Sequence, residues 1–568
     1  MYIDIVPNRK SPPAILLRES VREGKKIAKK TIANLSELSI EQAQDIRMIL
    51  KGERVVRADD HFNIISSHPH GHINSCFAAI KRLKIEQLIG SRRSRERDLV
   101  VSMIISRIVD PQSKLALSRT IKHTTLGSLF GTADCNEKQL YQAMDWLLAR
   151  QDRIEKKLAG RHLHNGGRVL YDLSSSYFEG SCCPLAARGH NRDGKKGKLQ
   201  VNYGLSTDER GCPVSISVFP GNTSDPKTLI PMVERLQQDF GLNSVVLVGD
   251  RGMISQKQIN EFPNYPGIEW ITAMKSGAIR KLMNEGVIQL GLFDERNLFE
   301  LTHPDYPSER LVACRNPNLA LRRTNKRLAL LAATCEELET IQGMISRGSL
   351  KQKEKIGVRV GRVINKYKMA KHFVLDIGES HFTYEIDEKK VAEEASLDGI
   401  YLIRTSLTEQ ELCSEDAVRY YKDLSHVEQA FRSIKTMDLA VRPIHHWLEN
   451  RVRSHLFICM LAYYVKWHMM EAWRPLIFAD EELEEKKSRD PVSTAQRSEA
   501  ALEKVKKKTL PDGSPVHSFR SLVDNLATIV RNTCSRKDSQ EESATFTIDT
   551  QPSELQVEAL KLIKSIKM

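Results

Sequence analysis

Three carboxylates in this 568-residue chain stand where chemistry could be done. Asp172 closes the strand-like run "RVLYD", Asp250 closes "SVVLVGD", and Glu428 lies at the border of an apolar helical stripe in "YKDLSHVEQAFRSIK". A buried, unpaired carboxylate is costly enough that it either neutralises or finds a cation. Singly, each has an ordinary explanation, since strand-end aspartates are commonly turn residues and helix glutamates commonly face water. Gathered by a fold they mean something else, because three carboxylates share a small volume only when divalent cations neutralise them. Tyr421, Glu428 and Lys435 also recur at seven-residue steps, which drift only about 20° per step on a helix and so predict one shared face. A tyrosine, an acid and a lysine on one stripe suit metal and phosphate.

The elements that must position these groups follow from pattern. Between about 165 and 275, "GRVLYDLSSSYF", "KLQVNYGLST" and "CPVSISVFPG" predict strands, the last two joined by the turn "DERG" as a hairpin. Asp225 as N-cap and Pro226 behind it predict a helix start. The strand "SVVLVGD", a short helix from about Ile254 and the strand "GIEWITAMK" complete a β-β-β-α-β-α-β order. In a mixed sheet whose first and fourth strands are neighbours, Asp172 and Asp250 stand side by side, and a helix crossing that sheet brings Glu428 to them.

Residues 276–405 combine β-like pieces with a long basic helix at "LALRRTNKRLALLAATCEELETIQGM", and predict an insertion. A capping box at Thr408 and Glu411 predicts that helix reopens there and runs to about 437. The helix "ENRVRSHLFICMLAYYVKWHMMEAW" should pack behind it. After Trp473 a charge-dense run reads as a linker or exposed helix, followed by a small α-rich unit. The expected organisation is therefore an N-terminal, largely helical region over 1–160, a core in two parts over 161–275 and 406–475, an insertion over 276–405, and a linker with a C-terminal helical unit over 476–568.

Other motifs carry less. "GHNRDGKK" spaces its glycines like a phosphate loop, but Lys196 replaces the magnesium-binding hydroxyl and a strand follows instead of a helix. Nucleotide binding is not expected; Lys195 and Lys196 fit a basic loop that touches a backbone phosphate. "HPHGH" gives His68, His70 and His72, which Pro69 and Gly71 should hold in an irregular polar turn without ligand geometry. Arg92, Arg93, Arg95 and Arg97 precede an apolar helix and fit either a solvated helix start or DNA contact.

The chain carries 86 Lys and Arg against 72 Asp and Glu, a net +14 that favours a polyanionic partner, nucleic acid first and an anionic membrane surface second. Its ten cysteines are scattered without a CxxC, which indicates neither a disulfide framework nor a zinc site and fits a reducing cytosol. The longest apolar run, "LFICMLAYYV", is about half of a membrane span, so a soluble cytoplasmic protein without a leader is expected.

The stretches "NRDGKKGKLQVNYGLSTD", "VFPGNTSDPKTL", "VGDRGM", "DGIYLIRTSL" and "RPIHHWLENRVRSHLFICMLAYY" resemble the DDE transposases of bacterial insertion sequences, in the insertion-sequence-four superfamily and its sixteen-thirty-four branch. The family signature, tyrosine, two residues, arginine, three residues, glutamate, six residues, lysine, falls on Tyr421, Glu428 and Lys435, with Leu424 in the arginine position. The resemblance implies an α/β fold: an RNase H-like mixed-sheet catalytic core interrupted by an inserted mixed α/β domain. It implies Asp172, Asp250 and Glu428 as catalytic residues and ligands of two Mg²⁺ ions, with Mn²⁺ as a substitute. It further implies cleavage at the ends of an element, transfer of the freed 3′-OH to target DNA, and assembly as a homodimer on paired ends. Lys435 with Tyr421 would hold a phosphate near the cut. Arg432 and Arg251 are candidates for the role that Leu424 cannot fill in a hairpin-forming excision. Two alternatives remain: a DNA-binding protein that has lost catalysis, and a two-metal nuclease without strand transfer.

Overall fold

The computed structural model describes the chain apart from residues 9–10, 25, 54–61, 196, 294–295, 484–488, 537–544 and 568. It divides into two units, residues 1–68 with 529–551, and residues 69–528 with 552–568.

In the first unit, β1 (Tyr2–Val6), β2 (Ala14–Glu23) and β3 (Lys26–Asn34) form an antiparallel meander. The helix Ile40–Leu50, opened by a Ser39/Gln42 capping box, buries Ala43 against Ile3 and Ile15. A second sheet joins β4 (Phe62–Pro69) to a hairpin from the far end of the sequence, β15 (Val530–Arg536) and β16 (Thr545–Asp549).

The second unit is built on one eight-stranded mixed sheet. Its first three strands, β5 (Gly167–Tyr177), β6 (Gln200–Thr207) and β7 (Pro213–Pro220), run antiparallel. Next to β5 lies β8 (Val245–Val248), parallel to it, and then β9 (Ile268–Ala273), parallel to β8. This is the expected order, with the first and fourth strands adjacent. Every residue of β6 is buried, because helices cover both faces and strand alternation then has no solvent side to report.

Three further strands, β10 (Leu298–Leu301), β11 (Arg310–Arg315) and β14 (Ile400–Thr405), extend the same sheet beyond β9, giving the order β10-β11-β14-β9-β8-β5-β6-β7. Between β11 and β14, the helices Pro317–Ser346 and Lys353–Tyr367 and the hairpin β12 (Phe373–Ile377) with β13 (Phe382–Ile386) enclose their own core around Leu338, Ile356, Val360 and Phe382. Within the predicted insertion, then, the ends belong to the main sheet and the middle packs on itself.

A helical layer covers the β7 side. The helices Arg95–Val109, Glu137–Leu148 and Glu449–Ala472 pack on one another, and the last also packs on β7. The first is buried continuously from Arg97 to Val109, its charged Arg97, Asp98 and Arg107 included.

Four local expectations change. "HPHGH" is not a polar turn: the helix Gly71–Arg82 begins inside it, His70 bonds Thr125 Oγ1 at 2.9 Å, and burial pulls His72 down to about 4. The apolar helix face that follows draws these imidazoles inward. Of the arginine run, Arg93 pairs with Asp98, Arg95 with Asp134, and Arg97 is buried, so these three are structural. Thr408 and Glu411 do bond to each other, but they close a turn; the helix starts at Ser414. The C-terminal segment forms no separate α-rich unit: its hairpin pairs with β4, and its helices Phe519–Ala527 and Glu554–Lys564 pack on Gly71–Arg82, with Trp473 Nε1 donating to Ala559 O at 3.0 Å. Its apolar helix faces are too small to enclose a core of their own. No helix among the described residues is long and apolar enough to cross a membrane.

Candidate active site

The register of β5 on β8 decides where the first two acids meet. Leu170 lies opposite Val248, so two residues further on Asp172, still within β5, and Asp250, just past the end of β8, stand at the same level. Asp250 answers as a turn residue too: its Oδ1 accepts the backbone N–H groups of Gly252 at 3.0 Å and Met253 at 2.7 Å. Asp172 Oδ1 accepts only the Leu173 N–H, at 2.8 Å. The second oxygen of each carboxylate is uncommitted among the described residues.

Glu428 comes from the helix Leu424–Arg432, which packs across β5 and β6. Its approach is fixed at the helix start. Arg168 on β5 donates to Asp423 at 2.9 Å and to Glu209 at 2.5 Å, with its guanidinium 3.5 Å from the Tyr420 ring centre. His426 Nδ1 lies 3.0 Å from the Glu209 carbonyl. Gly211, at φ +85°, lets the β6–β7 turn approach closely, since a Cβ there would stand 2.8 Å from His426 Cβ.

The electrostatics place the three acids in one field. Burial first, and then the Asp250 charge, push Asp172 up to about 7; Glu428 adds to the rise, while the Leu173 N–H and the Arg192 charge oppose it. Tyr421 shares the site. Burial and Asp250 push its hydroxyl up to about 12, with Arg251 opposing. Because folding raises the Asp172 pKa, the native state binds the proton more tightly than the unfolded chain. Stability therefore falls as pH rises from about 4 to about 7, and the full penalty is present above that. Asp172→Asn keeps an Oδ1 acceptor for Leu173 and should stabilise the metal-free protein at pH 8 by ~1–3 kcal/mol, measured by denaturant unfolding. Below about pH 4, where Asp172 is neutral in the folded and unfolded chain alike, the gain should vanish.

The seven-residue stripe does not survive intact. The helix is interrupted at Asp423, where the His426 N–H bonds back three residues, and it widens into a π-turn over Ser433–Met437. Tyr421 and Glu428 stay at the acids, but Lys435 is buried and turns to Asp193. Its Nζ donates to Asp193 Oδ1 at 2.9 Å, and Arg442 reaches the same oxygen at 2.5 Å. Asp193 Oδ2 accepts the Tyr177 N–H at 3.0 Å, and only 2 % of its side chain is exposed. Leu424 is buried, a packing residue at the helix start.

Lys195 is exposed, and Lys196 lies outside the described residues. Arg251 and Arg432 are exposed, and neither side chain forms a hydrogen bond or ion pair among the described residues. Sequence reasoning missed Arg192, which is held by Asp225 at 2.5 Å and lowers Asp172, along with Asp193 and Arg442. The signal was present in "NRDGKKG" and "RPIHH", since charged residues in these otherwise irregular stretches turn inward.

Comparison with known proteins identifies the family. The family model described as transposase DDE domain matches residues 179–465, just over half of the chain, and includes Asp250 and Glu428. A second, described as the IS1634 family transposase N-terminal domain, matches residues 3–59. No curated protein matches the chain. Among solved structures, a piggyBac transposase synaptic complex with hairpin DNA aligns at 9 % identity over 80 % of this chain and 79 % of that one, with a TM-score of 0.36. With one matched segment over just over half of its length and a second at its N-terminal region, both drawn from transposases, the chain belongs to the DDE transposases, in the IS1634 family.

Proposed function

We propose that the protein cleaves DNA at the ends of an insertion sequence and joins the freed 3′-OH to target DNA, with Asp172, Asp250 and Glu428 as the catalytic acids of an RNase H-like core. One observation carries this reading: Asp172 and Asp250 stand level on adjacent parallel strands, and the charges of Asp250 and Glu428 add to the burial that pushes Asp172 up to about 7. A carboxylate set with free oxygens and no paired lysine or arginine fits hard divalent cations, Mg²⁺ or Mn²⁺, held by these three residues. Such ions supply Lewis acidity at the attacked phosphate and at the leaving oxygen.

The residues around them have separable tasks. Asp250, fixed by two backbone amides, keeps a constant orientation. Asp172 gives up its proton when a cation binds, so cation affinity should fall as pH drops below about 7. Exposed Arg251 and Arg432 are free to contact phosphates near the cut, and the half-buried Tyr421 borders them. Lys435 shares Asp193 with Arg442, which leaves one net positive charge at that point for a DNA phosphate. The N-terminal region, with exposed Arg22, Lys29 and Lys30 on the β2–β3 hairpin, is proposed to contact the element's ends. A homodimer on paired ends belongs to the same proposal.

The test incubates the full chain with a labelled duplex carrying the element's terminal repeat and with target plasmid, in Mg²⁺ or in EDTA. Metal-dependent nicks and joined products are expected. Nicks that are never joined would identify a nuclease, and repeat binding without any product would identify an inactive DNA-binding protein.

A further inference from the structure

A second cluster of metal-ligand atoms lies outside the acidic site. His162 ends the helix Gln151–His162, Cys212 closes the β6–β7 turn, and His468 sits in the last turns of the helix Glu449–Ala472. Cys212 Sγ lies 3.9 Å from His162 Nε2 and 3.8 Å from His468 Nε2, and one ligand atom from each residue falls within 4.8 Å of the others. Tetrahedral coordination with bonds of ~2.0–2.3 Å requires donor atoms roughly 3.3–3.6 Å apart. Cys212 needs a contraction of only a few tenths of an ångström towards each imidazole, and the three donor atoms, within 4.8 Å of one another, must draw together around the ion.

The surroundings are those of a supported site. Cys212 is fully buried and His468 nearly so. Asp208 Oδ1 accepts the backbone N–H groups of Arg210 and Cys212, both at 2.9 Å, and thereby fixes the turn that presents the thiol. Asp208 Oδ2 stands 3.8 Å from His162 Nδ1, the place of an acid that orients a ligating imidazole. Burial holds His162 at about 4 and His468 at about 3, so both rings keep a lone pair at neutral pH. Tyr464 OH lies 2.9 Å from His162 Nε2. A cleft of about 290 Å³ borders the cluster at His162, Asp208 and Arg210.

We infer that His162, Cys212 and His468 bind one structural transition-metal ion of the Zn²⁺ class. Two imidazoles and a thiolate suit Zn²⁺ and reject Mg²⁺, which prefers oxygen ligands. On binding, the Cys212 thiol loses its proton to solvent, and the Tyr464 hydroxyl releases the His162 lone pair. The ion ties together three elements that the chain order keeps far apart. It also braces the Glu428 helix, because the turn it fixes carries the Glu209 carbonyl and Gly211 against His426.

The test uses the full chain with Asp172→Asn, Asp250→Asn and Glu428→Gln, which removes the carboxylate site and separates this ion from any held there. Co²⁺ titrated into this metal-free, reduced protein should bind at one equivalent, with the visible bands of a tetrahedral ion and a near-ultraviolet thiolate charge-transfer band. Zn²⁺ should displace it and raise the melting temperature. Adding Cys212→Ser should abolish the charge-transfer band, and adding His468→Gln should weaken binding at least tenfold. Absence of the band in the folded parent protein would overturn the inference, even if the ligand variants fail to fold. Persistence of the band after Cys212→Ser would overturn it as well.

Discussion

Asp250→Asn should lower metal-dependent DNA cleavage by at least ~10³-fold, equivalent to about 4 kcal/mol of barrier, while leaving affinity for the terminal repeat within about twofold. The substitution is chosen for what it preserves. Asp250 Oδ1 accepts the amides of Gly252 and Met253, and the asparagine carbonyl can continue to do so. Only the charge goes, and with it an oxygen that a cation needs. Asp250→Ala would also remove the turn's acceptor, at a further cost of about 1 kcal/mol in stability, and would blur the reading. Glu428→Gln should match Asp250→Asn, because Glu428 has no other partner among the described residues. Gel assays of nicked product at saturating Mg²⁺, beside binding isotherms, decide the matter. Cleavage retained within tenfold in either variant would remove that residue from the catalytic set.

Asp193→Ala should destabilise the fold by ~3–5 kcal/mol, the largest structural effect expected of a single polar substitution here. Asp193 is almost wholly enclosed, and its two oxygens satisfy Lys435, Arg442 and the Tyr177 amide. Removing it leaves two cations facing each other with no counter-charge. Burial already pulls Lys435 below its ordinary value, with Asp193 opposing that fall. Without Asp193, Lys435 should drop further below its ordinary value. Lys435→Met removes one of the two cations and should restore part of the loss in the double variant. Urea unfolding of the single and double variants gives the coupling. A loss below about 1 kcal/mol would mean that water reaches this pair and that Lys435 is freer to meet DNA than its geometry indicates.

These two results would separate chemistry from scaffold within one signature. Tyr421 and Glu428 face the acids, whereas Lys435 is held through Asp193, so a signature that reads as one stripe has two addresses. The interruption at Asp423 and the π-turn at Ser433–Met437 cause the divergence. A single inserted residue in a helical turn rotates everything after it by roughly 100°, and no pattern of residue types announces where that happens.

The sequence by itself determined the local elements of the large sheet and singled out the acids proposed for catalysis. β5, β6, β7, β8 and β9 lie where their β-branched runs and turn residues place them, because both signals act over a few residues. Asp172 and Asp250 were legible for the same reason, each a charge at the end of an apolar run. What the tertiary structure decided was every relation across the chain. The pairing of Leu170 with Val248 set the two acids level, and the packing of the 424–432 helix on β5 brought Glu428 to them. The sequence pattern likewise could not say that "HPHGH" opens a buried helix, or that the C-terminal hairpin returns to β4. His162, Cys212 and His468 belong to no motif, since their spacing follows from three elements converging in space. Local propensity is written in neighbouring residues, while register, burial and ligand geometry arise only when distant segments compete for one interior.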